Sequence, residues 1–597
     1  MRQWAKGCVA LSALWMLSAC EATESENSNA NENENQGPVS CAFDFDCSVG
    51  ETCGAADATG DRFCASAAGD ADRVFGQADL SFTGEETYLA VVYSLPTDEQ
   101  APSDDPRVFR LGGVNDAESA LRIRADRPAA PEYAQSDYWT ARLRQAELRR
   151  AGVDRLQQAM KRGERTVFKS FSTRQASSCS CTATQICSEG ACVDSLELSL
   201  GGTTITADVV GTVEGDGVSV SVLLDQNDSA EATAALNVAS TFVGAAEDVL
   251  YILGQDEHTG PFDRDDSGTI SVVFSSAVPT AFGQGIVGVF DFRDFLPESD
   301  TESTGNFSDL LWVAPPSSET IDSCETNGCS DEITFELSVA TLAHEYQHLV
   351  SFARRAFNND AFAQSSREVL WLDEAMSHTV EDLVGYGNST QEAVAQLFGE
   401  FYTDGAWALG IDSVPQRGMG FSLLRYIIDQ RARDAGALDA ASGQVRDTAR
   451  AVYSELVEGA AGGFEKPLFQ SFGADGIGDW AVALYTTNNP EVTETLSDPY
   501  LPLGTAPSTF DTGFSPFAET LDARGGELIL DGPPSGDDFN VFDEDVIDDL
   551  SSEIESEMPI SSVRYFLVGG SAASGTTTLQ AVGEAAVDFH LRVVRIQ

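Results

Sequence analysis

His344 and His348 stand four residues apart, with Glu345 beside the first, in a chain of 597 residues that holds only five histidines. Residues four apart share a face on an α-helix, so two imidazoles at this spacing meet one metal ion when Thr341–His348 is helical. No other feature constrains the fold as much, because it demands a helix whose polar face turns toward a partner element rather than toward water. Glu345 projects one position round the helix, within reach of a water held by that metal. Zinc suits such a set: imidazole is a good ligand, and an open fourth position holds the water. Water held in this way approaches a pKa of roughly 7. The plain alternative is a charged helix that fits the pattern by chance, and the scarcity of histidine weighs against it.

A third ligand is expected downstream. Trp371–Asp382 carries Leu372, Ala375, Met376 and Thr379 at helical spacing, continued by Leu383, with no proline, and reads as a second helix. Glu374 follows His348 by 26 residues, enough for one helix to end, a loop to turn and the next helix to pack alongside. It completes a set of two histidines and one glutamate. His378, four residues on, shares its face. The sequence leaves three roles open for His378: a partner that orients a ligand, a proton donor to a leaving amine, or the third ligand in place of Glu374.

The segment Ala343-His344-Glu345-Tyr346-Gln347-His348, followed by Trp371-Leu372-Asp373-Glu374-Ala375-Met376-Ser377-His378, resembles the hyicolysin family of zinc metallopeptidases, which belong to the gluzincins. Asp373 stands where that family has Asn, and Ala375 where it has Gly. Neither change removes a ligand, though Asp373 adds negative charge beside the metal. The resemblance spans residues 197 to 497. It implies an α+β fold with a thermolysin-like, two-lobe metallopeptidase domain. It further implies His344, His348 and Glu374 as zinc ligands, Glu345 as general base, and hydrolysis of a protein or peptide substrate.

Other segments fit around this frame. Asp263, Asp265 and Ser267 precede Gly268 and a strand from Thr269 to Phe274. Their spacing matches the first half of a calcium loop, but position twelve is Phe274 rather than glutamate, so the expectation is a tight acidic turn or a partial Ca2+ site. Leu310–Ala314 reads as a strand, and as the edge on which an extended substrate would pair. Downstream the chain turns helical, with an amphipathic helix from Met419 to Arg431 and another from Ile477 to Thr486. The gluzincin resemblance further implies a Tyr or His that stabilises an oxyanion, for which Tyr386, Tyr402 and Tyr426 are the candidates, with a packing role the alternative for each.

The N-terminus reads as an exported lipoprotein: a short basic stretch, an apolar run from Gly7 to Leu17, and a lipobox Leu17-Ser18-Ala19-Cys20. Cys20 is the expected lipid anchor in a bacterial membrane, placing the protein in the extracytoplasmic cell envelope. Ten of the twelve cysteines remain after Cys8 and Cys20, clustered at 41–64, 179–192 and 324–329, and in an oxidising compartment they read as disulfides.

A net charge of −60 excludes nucleic-acid binding through phosphate contacts. With only four lysines, it also suits a saline medium in which self-repulsion is screened. Length argues for several domains. The expected order is a signal peptide (1–20), a disordered tether (21–40) and a Cys-rich module (41–66). An accessory or propeptide-like region follows (70–196, with the Cys cluster 179–192), then the metallopeptidase domain (197–498) and a β-sandwich-like C-terminal domain (499–597). A charged helix is expected from Asp137 to Arg162 and a solvated acidic loop from Asp537 to Glu557. The competing functional class is a surface adhesion or scaffold lipoprotein that keeps an inactive peptidase lobe for its shape.

Overall fold

Strands open the described part of the chain. The computed structural model describes strand segments between residues 51 and 125, most of 181–316, residues 331–355, 368–387, 414–435, 443–458 and 462–486, and parts of 494–596. Contacts divide the chain into Met1–Val39, outside the described residues, and Ser40–Gln597. The architecture of Ser40–Gln597 is mixed α and β. Its first strands are β1 (Glu51–Cys53) and β2 (Cys64–Ser66), which pair as a hairpin with Cys53 opposite Cys64. Then come β3 (Asp72–Phe82), β4 (Thr87–Ser94), β5 (Arg107–Gly113) and β6 (Leu121–Ala125).

The next stretch builds a six-stranded sheet. A small hairpin, β7 (Ile186–Ser188) and β8 (Ala191–Val193), is tied by a Cys181–Cys192 disulfide. It leads into β9 (Ser195–Leu200), β10 (Thr203–Glu214) and β11 (Ser219–Asp225). Helix α1 (Ala232–Ile252) crosses to β12 (Ile270–Phe274), followed by α2 (Ala277–Phe282), β13 (Gly288–Val289) and β14 (Leu310–Val313). The spatial order is β13-β14-β12-β11-β10-β9, with β11, β12 and β14 parallel.

Apolar residues of the central strands cover both faces, as a parallel sheet buried on both sides requires. Val222, Val272 and Leu311 enter the main core with the helices, while Leu223, Val273 and Trp312 enter a second core with α2. This corrects one expectation: Leu310–Ala314 is a strand but not the edge. A run whose every residue is buried belongs inside a sheet, and the two-residue β13 stands at the edge instead.

Among the described residues five α-helices follow: α3 (Asp331–Ala353), α4 (Leu370–Leu383), α5 (Val414–Asp434), α6 (Gly443–Glu458) and α7 (Pro467–Thr486). Helix α5 is not amphipathic as its sequence suggests. From Arg417 to Asp429 every residue is buried, and the charged ones are tolerated because they pair internally: fully buried Arg425 bonds both Asp382 and Asp429.

The last strands are β15 (Leu521–Ala523), β16 (Gly526–Leu528), β17 (Ile554–Met558), β18 (Val563–Gly570), β19 (Gly575–Glu584) and β20 (Phe589–Arg595). Four of them pair with the first strands of the chain. One sheet runs β17-β5-β19-β3 and the other β20-β4-β18-β6. The sandwich is therefore built from both ends of the chain rather than from 499–597 alone, and Ile554–Glu557 of the expected acidic loop lies in a strand. Alternation along β4 makes the assembly two-sided: Ala90 and Val92 face the other sheet, while Leu89, Val91 and Tyr93 join the main core. Tyr93 and Tyr565 donate to the carbonyls of Ala474 and Ala481 on α7, which fastens the sandwich to the helices. Strands β3 to β6 thus form part of the folded body, and a cleaved propeptide there would strip strands from both sheets. No helix among the described residues is long and apolar enough to cross a membrane.

A candidate metal centre between two buried helices

Helix α3 has no proline, and its turns from Ser338 to Ser351 are buried; α4 packs beside it. This pairing brings His344 and His348 of α3 against Glu374 of α4, all three at most 3% exposed. The two Nε2 atoms lie 3.1 Å apart. Glu374 Oε2 lies 3.2 Å from His344 Nε2, and Glu374 Oε1 lies 3.7 Å from His348 Nε2. Tetrahedral ligands bonded at about 2.0–2.1 Å stand roughly 3.3–3.4 Å from one another, so the two imidazole nitrogens and the Glu374 carboxylate, one oxygen facing each, lie near the separations a zinc ion needs.

A second grouping, His344, His378 and Glu381, is also close-set. Its His344 Nδ1 to Glu381 Oε1 contact of 2.5 Å is that of a hydrogen bond and too short for two ligands of one ion. Glu381 therefore acts as the carboxylate that orients His344 and leaves Nε2 to point inward. Asp373 Oδ2 lies 3.3 Å from His348 Nδ1, in the same relation to the other histidine. The Asp at position 373 thus has a place. His378 Nδ1 lies 3.0 Å from Glu381 Oε1, so His378 joins the outer ring of the site.

Glu381 and Arg417 are the members sequence reading missed. Glu381 had a signal, since Glu374, His378 and Glu381 recur at i, i+4 and i+7 on one helix face. Arg417 had none: it comes from α5, and its Nη1 lies 3.0 Å from Glu374 Oε2. Burial alone would raise the Glu374 carboxyl, but Arg417, His344 and His348 hold it well below the usual carboxylate range. Burial opposes charge on His344, yet Glu374 and Glu381 outweigh it and push its pKa up to about 9. In the absence of metal, a proton on His344 offsets the surrounding acids.

Glu345 is fully buried, and its Oε2 accepts a hydrogen bond of 2.8 Å from the Phe290 backbone N–H, directly after edge strand β13. Tyr386 and Tyr426 pack into the main core, and Tyr402 lies outside the described residues, as do Cys20, Cys324, Cys329 and the Asp137–Arg162 segment.

The acidic turn is a turn, with Gly268 at φ 74 and its N–H bonded to Asp263. The Ser267 hydroxyl donates to the Thr269 carbonyl. Asp263 and Asp265 are joined by Asp309, an all-oxygen group of the kind hard cations take. Burial, then Asp309 and Asp265, push the Asp263 pKa up to about 7. Asp309 also lies 2.7 Å from His258 Nε2, and His258 Nδ1 lies 3.0 Å from the hydroxyl of Tyr346 on α3.

Burial lowers the His258 pKa to about 4, against the pull of Asp263 and Asp265. The unfolded chain takes its proton first as pH falls. The stability that neutral His258 confers is therefore full above about 6.5 and lost between there and about 4, by about 3 kcal/mol. Asp263 acts in the opposite sense, losing its contribution as pH rises from about 4 to about 7. Urea midpoints at pH 7, 5.5 and 4 should show a shallower acid-side loss in His258→Gln than in the wild type; parallel curves would refute this. For the outer carboxylates, Glu381→Ala and Asp373→Ala should each weaken zinc binding by about 10–100-fold in a chelator competition. Unchanged affinity in both would remove their assigned role.

Comparison with protein-family models and with curated proteins finds no match for this chain.

Proposed function

We propose that the protein is a zinc-dependent endopeptidase whose site lies between α3 and α4, in a domain of the thermolysin-like, two-lobe kind. The observation that carries this reading is the convergence of His344 Nε2, His348 Nε2 and the two oxygens of the Glu374 carboxylate, each facing one imidazole, at 3.1–3.7 Å, with a carboxylate behind each histidine. A zinc ion bound there supplies Lewis acidity and lowers the pKa of water at its open position. Glu345 takes the proton from the attacking water and passes it to the departing amine. The Phe290 N–H bond keeps the Glu345 carboxylate turned toward the β13 end of the site. An extended peptide would add to the sheet at β13, beside that carboxylate.

The presence of all three ligands, the base and the outer carboxylates favours an active enzyme over the scaffold alternative, because a site kept only for shape has no need of them. Anchorage through Cys20 in the cell envelope completes the proposal. The test is hydrolysis of a casein-type substrate by purified protein, abolished by a strong chelator and restored by zinc. Cleavage that survives chelation, or none in any metal, contradicts it.

A further inference from the structure

We propose that Gly288 is a positioning residue for Glu345: it lets β13 lie directly on α3, so that one stretch of backbone sets both the edge offered to a peptide and the direction of the base. The inference rests on the peptidase reading above. Alternation along the edge strand lays out the arrangement. Val289 enters the second core with Trp312, while Phe290 enters the main core and its ring lies 5.7 Å from that of Phe352 on α3. Gly288 faces the same side as Phe290, toward Thr341 and Glu345. On α3, Thr341, Glu345 and Phe352 stand at i, i+4 and i+11, which is one stripe of a helix. The helix therefore meets β13 along the stripe that carries the base.

At Gly288 there is no room for a side chain. A Cβ there would overlap the Thr341 methyl group and would lie 3.1 Å from the Trp312 carbonyl oxygen and 3.5 Å from Glu345 Cγ. Thr341 is buried, and a β-branched side chain on a helix has few χ1 positions to retreat to. The Trp312 carbonyl belongs to β14, which is held in place by its pairing with β12. The shift that any larger residue demands therefore falls on β13. Two residues on, the Phe290 N–H donates to Glu345 Oε2 at 2.8 Å, so a displaced β13 carries that donor away from the base. Glu345 is fully buried, and the weakened bond is not replaced by bulk water.

Gly288→Ala tests this. It should keep its zinc, because the added methyl meets none of the three ligands, while kcat falls by about 10²-fold, the loss that a displacement on the order of 1 Å brings. KM should change far less, since the peptide moves with the strand it pairs to. Adding Thr341→Ser removes the methyl group that the new Cβ meets, and should restore most of kcat, measured against Thr341→Ser alone. Amide hydrogen exchange adds a readout that needs neither metal nor turnover: the Phe290 amide should exchange faster in Gly288→Ala than in the wild type. If Gly288→Ala alone does not fold, the double variant decides, with a folded and active protein supporting the proposal and an inactive one overturning it. A single variant with wild-type kcat, a double variant as slow as the single, or an unchanged Phe290 exchange rate overturns the proposal and leaves the peptidase reading standing. A wild type that cleaves no peptide in any metal removes that reading and this inference with it.

Discussion

Glu345→Gln is expected to retain its zinc and its fold while losing about 10²–10⁴-fold in turnover, the range a positioned general base supplies. Glutamine preserves the side chain's shape and can still accept from the Phe290 N–H through its amide oxygen, so the helix has no reason to move. What it cannot do is take a proton. Glu345 is not among the three converging ligands, so metal content should equal that of the wild type. A variant that cleaves at the normal rate would refute the assigned role. Loss of zinc would show that Glu345 supports the ligands rather than the chemistry.

The second large effect concerns stability. Arg425, Asp382 and Asp429 have fully buried side chains and form one ionic cluster between α4 and α5. Burial raises the Asp382 pKa in spite of the Arg425 guanidinium beside it, a sign that this carboxylate is held in dry surroundings at some cost. Arg425→Met would leave two carboxylates in the core with no counter-charge, and a buried pair broken in this way costs about 3–5 kcal/mol. Adding Asp382→Asn and Asp429→Asn should recover most of that loss. Because Asp382 follows Glu381, which orients His344, zinc affinity should fall with the single substitution and return with the triple. Urea midpoints within about 1 kcal/mol of wild type for Arg425→Met would contradict the account.

The parts of the site legible in the sequence were those set by local periodicity. His344 and His348 had to share a helix face, and Glu374 lay on the next apolar-periodic segment. What depended on distant packing was not legible. Asp309 joins Asp263 and Asp265 only because β14 lies beside β12, and Arg417 reaches Glu374 only because Gly420 lets α5 close on α4. The strands near the C-terminus were readable as strands, but not their partners. β19 pairs with β3 and β5 from the opposite end of the chain, a choice that hydrophobic alternation leaves open. The apolar run at Leu310 was misread for a related reason. Its uniform apolarity is the mark of an interior strand, and the true edge, β13, is too short to leave a pattern.

Zinc content of three purified proteins tests the central claim most directly: the wild type, Glu374→Ala and His378→Ala, each loaded with excess zinc and freed of unbound metal. The account predicts one zinc per chain in the wild type and in His378→Ala, and none in Glu374→Ala. A metal-free wild type, or a zinc that survives in Glu374→Ala and vanishes in His378→Ala, would contradict it.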